Sequence, residues 1–317
     1  MKSQAVVFNN PKQLSLRTLE LPPLQEGQLE VAVEFSGIST GTERMLWDGS
    51  MPPFPGMGYP LVPGYETVGR VVRSAADSDL QPGQRVFVPG ANCFTGVKSL
   101  FGGAASRLVV TAHKVMPVAD HLGPQAVLLA LAATAYHAVS GGGQHEPFAP
   151  PELIIGHGVM GRLLARLTVA AGLPAPTVWE TQASRSDGAQ GYTVVQPQDD
   201  PRRDYQTIYD VSGDGSLLDS LIQRLRPGGE LVLAGFYKQD LKFAYAPAFM
   251  REARMRIAAE WKRSDLLAVS ELVHTGRLSL DGLITHTQPS TQAGSAYETA
   301  FGDASCLKMI LDWSANA

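Results

Sequence analysis

The sequence predicts a mixed α/β plus β fold: a partly open antiparallel β-barrel and a doubly wound α/β sheet, with the end of the chain returning to the barrel. Three observations predict it. Residues 1–118 are rich in short β runs punctuated by Gly and Pro. From about residue 120, strands alternate with helices, the pattern of a parallel sheet with crossover helices. Leu153-Ile154-Ile155 runs into Gly156-His157-Gly158-Val159-Met160-Gly161, a Gly-x-Gly-x-x-Gly turn between an apolar strand and a helix.

Alternation marks strands at 29–35, 68–72 and 84–88, and Pro82-Gly83 supplies the turn before the third. Residues 2–8 are strand-like as well and lack the apolar core of a signal peptide. The apolar run 126–139 is shorter than the roughly 20 residues that cross a bilayer. A buried helix is expected there, with peripheral membrane contact left open. Beyond the glycine turn a helix runs through 162–165, and the strand 177–179 ends on Glu180. Further strands are expected at 191–195, 207–213 and 230–235, with a helix over 217–226 and the turn Pro227-Gly228-Gly229. A helix at 266–274 and a strand at 307–311 close the chain. The expected domains are 1–118 with 260–317, and 119–259.

With 317 residues, 44% of them hydrophobic, the chain can build two ordinary domains with cores of their own. A net charge of −4 argues against a nucleic-acid surface. Cys93 and Cys306 form no Cys-x-x-Cys pair and no disulfide framework, which fits a reducing, cytoplasmic setting.

The glycine turn carries chemistry because each position has a task. Gly156 permits the tight turn, Gly158 lets the backbone approach a pyrophosphate, and Gly161 lets the helix pack against the strand. Val159 and Met160 open that helix, whose free N–H groups face the phosphates. Glu180, about 20 residues on, can accept hydrogen bonds from ribose hydroxyls and would repel a 2′-phosphate, so NAD is expected rather than NADP. His157 sits inside the turn, placed to touch the cofactor. Ser212 and Gly235 fall with Asp210 and Gly213 at the carboxyl ends of later strands, the edge where ligands bind.

The β-rich first third, the placement of the glycine turn and the closing strand together resemble the medium-chain dehydrogenase/reductase superfamily. That resemblance implies a GroES-like barrel beside a Rossmann domain. Long runs narrow it further: Ile38 through Arg44, Met51 through Glu66, Ala130 through His137, Ile208 through Asp214, Phe249 through Arg254, Ala259-Glu260-Trp261 and Gly282 through His286. They resemble the branch serving bacteriochlorophyll biosynthesis. The resemblance implies oxidation of the 3-(1-hydroxyethyl) group of a (bacterio)chlorophyllide to 3-acetyl, with NAD as acceptor. It also implies that Lys308 reaches the cofactor pyrophosphate, and by analogy that the protein is a homo-oligomer.

Zinc enzymes of the superfamily hold their metal with Cys, His and Glu. In this chain the corresponding positions are Ser39, Tyr65 and the neighbourhood of Ala130, and Cys93 alone stands in the structural-zinc region. No bound metal is expected. Tyr65 is then a candidate proton acceptor or relay, with Thr40 and Glu66 as its partners. A free phenol has a pKa near ~10, so that role needs it lowered. His137, with an imidazole pKa near ~6.5 when unperturbed, is the other candidate base. A flat apolar macrocycle needs a wide apolar wall, and Trp47, Phe54, Met57 and Tyr59, with Leu100 and Phe101 behind them, can supply one. Two other readings stay open: a zinc-free quinone or enone reductase, and a noncatalytic NAD-binding carrier.

Overall fold

The computed structural model describes residues 1–53, 55–75, 78–99, 101–141 and 149–316. Phe54 and Leu100, expected at the substrate wall, lie outside the described residues. The chain forms two compact units, Met1–Ala130 with Leu283–Ala317, and Leu131–Gly282.

Unit 1 opens with the antiparallel hairpin of β1 (Lys2–Asn10) and β2 (Gln13–Glu20). Then come β3 (Gln28–Ile38), the short helix α1 (Thr42–Asp48), β4 (Thr67–Ser74), β5 (Arg85–Val88), β6 (Arg107–Thr111) and β7 (Met116–Pro117). β3 organises the barrel. One edge pairs with β4 from Leu29 to Ser36. The other edge is shared, with β6 on Gln28–Ala32 and the last strand of the chain on Phe35–Ile38. Inward-facing Val31, Val33, Leu29, Val86, Leu108 and Phe8 are fully buried, as alternation predicts.

A helical run joins the units. It starts as 3₁₀ turns over Asp120–Leu128, broken at Gly123 (φ 51°), and continues as α2 (Leu129–Ser140). The expected helix began only at residue 126; Pro124 sits where its missing N–H costs nothing, so the run extends further. At 21 residues it is long and apolar enough, by length and composition alone, to cross a membrane. With 56% of its apolar window buried, it reads as a core helix.

Unit 2 continues with β8 (Leu153–Ile155), α3 (Val159–Ala170), β9 (Thr177–Trp179), β10 (Thr193–Val195) and β11 (Tyr205–Asp210). Next are α4 (Leu218–Ile222), β12 (Leu225–Leu233), α5 (Tyr245–Met250), β13 (Arg254–Ile257) and α6 (Arg263–His274). Its sheet is wholly parallel, in the order β10-β9-β8-β11-β12-β13. Numbered from β8, that order is 3-2-1-4-5-6, the doubly wound dinucleotide-binding arrangement, with its switch point between β8 and β11. The helix expected over 217–226 stops at Ile222. Leu225 already pairs with Tyr205, and the bulge at Gly228 and Gly229 interrupts the strand without ending it.

The chain returns to unit 1 as β14 (His286–Pro289), α7 (Ala293–Gly302) and β15 (Met309–Asp312). β15 pairs parallel with β14 and antiparallel with β3. Just beyond it Trp313 is fully buried, and its indole N–H donates to Ser36 Oγ at 2.8 Å. Trp313→Ala should therefore lower the unfolding free energy of unit 1 by about 3–5 kcal/mol, read as an earlier urea midpoint in far-UV circular dichroism. An unchanged midpoint would mean that the tail does not close the barrel.

Candidate active site

In unit 2 the glycine turn has the geometry its sequence requires. Gly156 has φ +102°, which an L side chain rarely adopts. A Cβ on Gly161 would stand 1.9 Å from Gly156 O, so only glycine lets α3 start this close to β8. A Cβ on Gly158 would meet nothing within 4 Å, so space lies open at the α3 N-terminus, beside Val159 and Met160. Glu180, at the end of β9, is buried. Its Oε2 accepts from His157 N at 3.0 Å, and its Oε1 from Thr181 N and Gln182 N at 2.8 and 2.7 Å. Three of its roughly four acceptor positions are used, which fixes the carboxylate and leaves room for one more donor.

The His157 ring turns away from this space. It is fully buried, with Nδ1 2.6 Å from Arg185 O and Nε2 2.7 Å from Tyr192 Oη. Burial pushes its pKa down to about 4, so it stays neutral. The expected side-chain contact with the cofactor is thus corrected, and only the backbone of His157 faces the turn. Arg162 secures the same region by donating to the carbonyls of His157, Arg185 and Asp187.

At the carboxyl end of β11, buried Asp210 accepts from Ser212 N and Oγ and from Tyr237 Oη. Gly235 lies against this turn, its N–H on Asp210 O, and a Cβ there would come 3.0 Å from Gly213 N. Burial raises the Asp210 pKa. His137, on α2, has Nδ1 2.7 Å from Asp265 Oδ2, and the same oxygen caps α6 by accepting from Lys262 N. In unit 2, His137 thus clamps α2 to the start of α6.

Unit 1 gathers a second polar cluster around β3, α1 and the tail. Lys308 and Glu66 are 1% and 0% exposed. The Lys308 ammonium donates to Glu66 Oε2 at 2.6 Å, to Glu66 Oε1 at 2.9 Å and to Ile38 O at 3.2 Å. Beside them Ser39 Oγ and Tyr65 Oη are 2.7 Å apart, and the Thr42 hydroxyl also bonds Tyr65. The Tyr65 ring packs on Phe101, with centroids 5.1 Å apart. Glu43, on the first turn of α1, is fully buried. Its Oε2 accepts from Tyr297 Oη at 2.7 Å, while Oε1 finds no partner among the described residues. Burial, reinforced by Glu66, pushes the Glu43 pKa up to about 8.

Comparison with known proteins gives these clusters a family. Residues 25–120 match the alcohol dehydrogenase GroES-like domain. Over 314 residues, 99% of each chain, the sequence is 56% identical to 2-desacetyl-2-hydroxyethyl bacteriochlorophyllide A dehydrogenase of Rhodobacter capsulatus. The chain belongs to that dehydrogenase family. It is a medium-chain dehydrogenase/reductase. Among solved structures, an alcohol dehydrogenase from E. coli CFT073 complexed with NADH matches with TM-score 0.80 at 20% identity, covering 98% of this chain and 99% of that one. A dehydrogenase from Sinorhizobium meliloti 1021 bound to NADP matches with the same values. These two show the shared fold.

Within this dehydrogenase the position where the superfamily carries catalytic zinc does not fit the ion. Zinc wants thiolate, imidazole or carboxylate donors. Ser39 and Tyr65 offer neutral hydroxyls, and both oxygens of Glu66 are engaged by an ammonium that would repel a second cation. Among the described residues, no three His, Cys, Asp or Glu side chains stand together as a metal set.

Several expectations change. Lys308, expected at a pyrophosphate, instead spends its three donors on three acceptors inside unit 1. Tyr65 is not tuned to be a base, since burial and Glu66 push its pKa up. Trp47 packs into an aromatic group with Phe8, Tyr297 and Phe301, at centroid distances of 5.5, 6.4 and 6.5 Å. Met57 and Tyr59 lean on the barrel core, and the Tyr59 hydroxyl donates to Leu46 O. Thr40 is partly exposed at the turn before α1. Sequence reasoning missed Glu43 and Tyr297. An acid in the first turn of a helix reads as a solvated partner of the helix dipole, and only the buried neighbours reveal otherwise.

Two measurements follow. Gly158→Val should fold as the wild type does, yet weaken dinucleotide binding by roughly tenfold or more (~1.4 kcal/mol) in a fluorescence titration; equal affinity would remove the phosphates from this turn. Glu43 binds its proton more tightly in the folded chain, with a pKa of about 8 against an ordinary 4.5. Its contribution to stability is complete below pH 4.5 and is lost as the pH rises through about 8. Glu43→Gln should therefore gain stability over the wild type across that window, measured as a growing difference in Tm.

Proposed function

We propose that the chain oxidises the hydroxyethyl group of a bacteriochlorophyllide to an acetyl group in bacteriochlorophyll biosynthesis, with NAD⁺ as hydride acceptor and without a catalytic zinc ion. The observation that carries this is the 56% identity, across 99% of both chains, to a dehydrogenase named for that substrate. When bound, the dinucleotide supplies the hydride acceptor. Gly156, Gly158 and the first N–H groups of α3 would hold its pyrophosphate. Glu180, with one acceptor position left, would take a ribose hydroxyl, and a 2′-phosphate there would face a buried carboxylate.

On unit 1, Tyr65 is a neutral phenol, so it serves the carbinol oxygen as a hydrogen-bond donor. A fixed donor of this kind stabilises oxygen as charge builds on it, and removing one costs on the order of 10²-fold in rate. The new carbonyl conjugates with the macrocycle, which lowers the demand for a metal. Phe101, packed on Tyr65, and the partly buried Met57 and Tyr59 offer apolar surface to a flat ring system. β13 is an edge strand in unit 2, with Met255 and Ile257 37% and 75% exposed and Tyr245, Phe249 and Met250 exposed on α5. An unpaired edge with that much apolar surface is what a second copy would cover, so we assign a homodimer contact there.

Incubation with hydroxyethyl bacteriochlorophyllide should give a shift of the macrocycle absorption and NADH formation in equal amounts. NADP⁺ should be slower by at least roughly tenfold (~1.4 kcal/mol), and Glu180→Ala should narrow that gap. Cofactor binding without turnover would instead indicate a carrier, and a preference for NADPH with enones would indicate a reductase. Loss of activity on chelation would overturn the zinc-free assignment.

A further inference from the structure

Parallel strands are joined by a crossover, usually a helix. Between β9 and β10 the described residues hold no α-helix, only a 3₁₀ turn at Ala183–Arg185, and most of this connection is exposed. It begins at Glu180, the carboxylate that faces a ribose in the reading above. What fixes this irregular loop comes from outside it. Arg185 O accepts from His157 Nδ1 at 2.6 Å and from Arg162 Nη2 at 3.0 Å, and Asp187 O accepts from Arg162 Nη2 at 2.7 Å. Gly188 closes round the same guanidinium, since a Cβ there would stand 2.3 Å from Arg162 Nη1.

One arrangement of the His157 ring satisfies both of its partners. A carbonyl only accepts, so Nδ1 carries the hydrogen and Nε2 the lone pair, which takes the Tyr192 O–H at 2.7 Å. Tyr192 Oη also bonds the Arg166 guanidinium. Arg162 and Arg166 lie one turn apart on α3, and Tyr192 directly precedes β10. All four side chains are buried. The ring is thus gripped from α3 and from β10 while it grips the loop, and a buried, fully paired group of this kind is rigid.

The same residue holds Glu180 itself. His157 N donates to Oε2 at 3.0 Å, while Thr181 N and Gln182 N, the first two amides of the loop, donate to Oε1 at 2.8 and 2.7 Å. Every amide that fixes the carboxylate therefore belongs to His157 or to the loop its ring pins. A repulsive group discriminates only where it is unable to move aside. A carboxylate free to rotate out would let a 2′-phosphate in.

We propose that His157 is a positioning residue that determines dinucleotide specificity: by pinning the loop through Arg185 O, it keeps the Glu180 carboxylate where it takes a ribose hydroxyl and excludes a 2′-phosphate. The proposal rests on the NAD reading above. His157 acts through Glu180, and its ring, bonded at both nitrogens to Arg185 and Tyr192, does not touch the dinucleotide.

The test is a pair of dissociation constants, for NADH and for NADPH, from nicotinamide fluorescence on the full-length protein. The wild type should bind NADH at least roughly tenfold more tightly. His157→Ala should narrow that ratio by about threefold to tenfold. In a Glu180→Ala background the same substitution should leave the ratio where Glu180→Ala alone puts it. A residue that only supports the fold would instead lower Tm and weaken both ligands alike in either background. Tyr192→Phe removes one hydroxyl and keeps the ring, which meets His157 edge-on with centroids 5.5 Å apart. It should move the ratio the same way by a smaller factor, and it decides the matter where His157→Ala does not fold. A folded His157→Ala with the wild-type ratio overturns the proposal, as does an equal shift with Glu180 already removed, or, where His157→Ala does not fold, an unchanged ratio in Tyr192→Phe. A wild type that binds NADPH as tightly as NADH sinks the NAD reading itself, an outcome seen before any variant is compared.

Discussion

A buried ammonium must find acceptors in its own fold, and Lys308 finds three: the two oxygens of Glu66 and the carbonyl of Ile38. Taking two charges out of water costs several kcal/mol each, and a buried pair recovers that only with saturated hydrogen bonding. The pair therefore dictates what surrounds it. Glu66 comes from the segment leading into β4, Ile38 ends β3, and Lys308 directly precedes β15. Three separate parts of unit 1 must converge for the charges to be satisfied. Gly37 shows how tight the fit is, since a Cβ there would lie 2.3 Å from Glu66 Oε2. The pair and the β15–β3 ladder thus enforce one another.

The same pair sets the electrostatics of the site. An enclosed carboxylate with its oxygens spoken for still opposes new negative charge nearby, and it adds to burial, the larger cause, in raising the pKa of both Tyr65 and Glu43. What remains is a set of neutral donors and one protonated acid. Such a site stabilises a developing oxygen charge with oriented O–H dipoles, which are effective where water is excluded.

How much of this was legible in the chain follows from how local each constraint is. The glycine turn, Glu180 and the strand–helix alternation were legible because their demands act within a few residues: a positive φ at Gly156, a close approach at Gly161, periodicity in β8 and α3. Lys308 was not, because its partner lies 242 residues away and nothing in a closing strand marks an inward lysine. His157 looked like a ligand because it stood in a ligand-binding turn; Tyr192, 35 residues on, decides where its ring goes. Trp47 was read as a wall for substrate; it is partly buried, and its contacts with Tyr297 and Phe301 on α7 are equally long-range. The shortened α4 has the same cause, a long-range pairing of Leu225 with Tyr205 overriding local helix preference.

The two units consequently differ in how their chemistry is held. In unit 2 the glycine turn is made of backbone: a glycine at a required φ value, helix N–H groups, and a carboxylate fixed by three amides. Backbone sites persist as long as the fold does, whatever the side chains elsewhere. In unit 1 the site is made of side chains, Ser39, Tyr65, Glu66, Lys308 and Glu43, each satisfied by another. A site of that kind cannot change one member alone: removing Lys308 strands Glu66, and removing Glu66 strands Lys308. Any change at this cluster therefore requires a coordinated replacement, since the lysine supplies the positive charge that the buried carboxylate would otherwise lack.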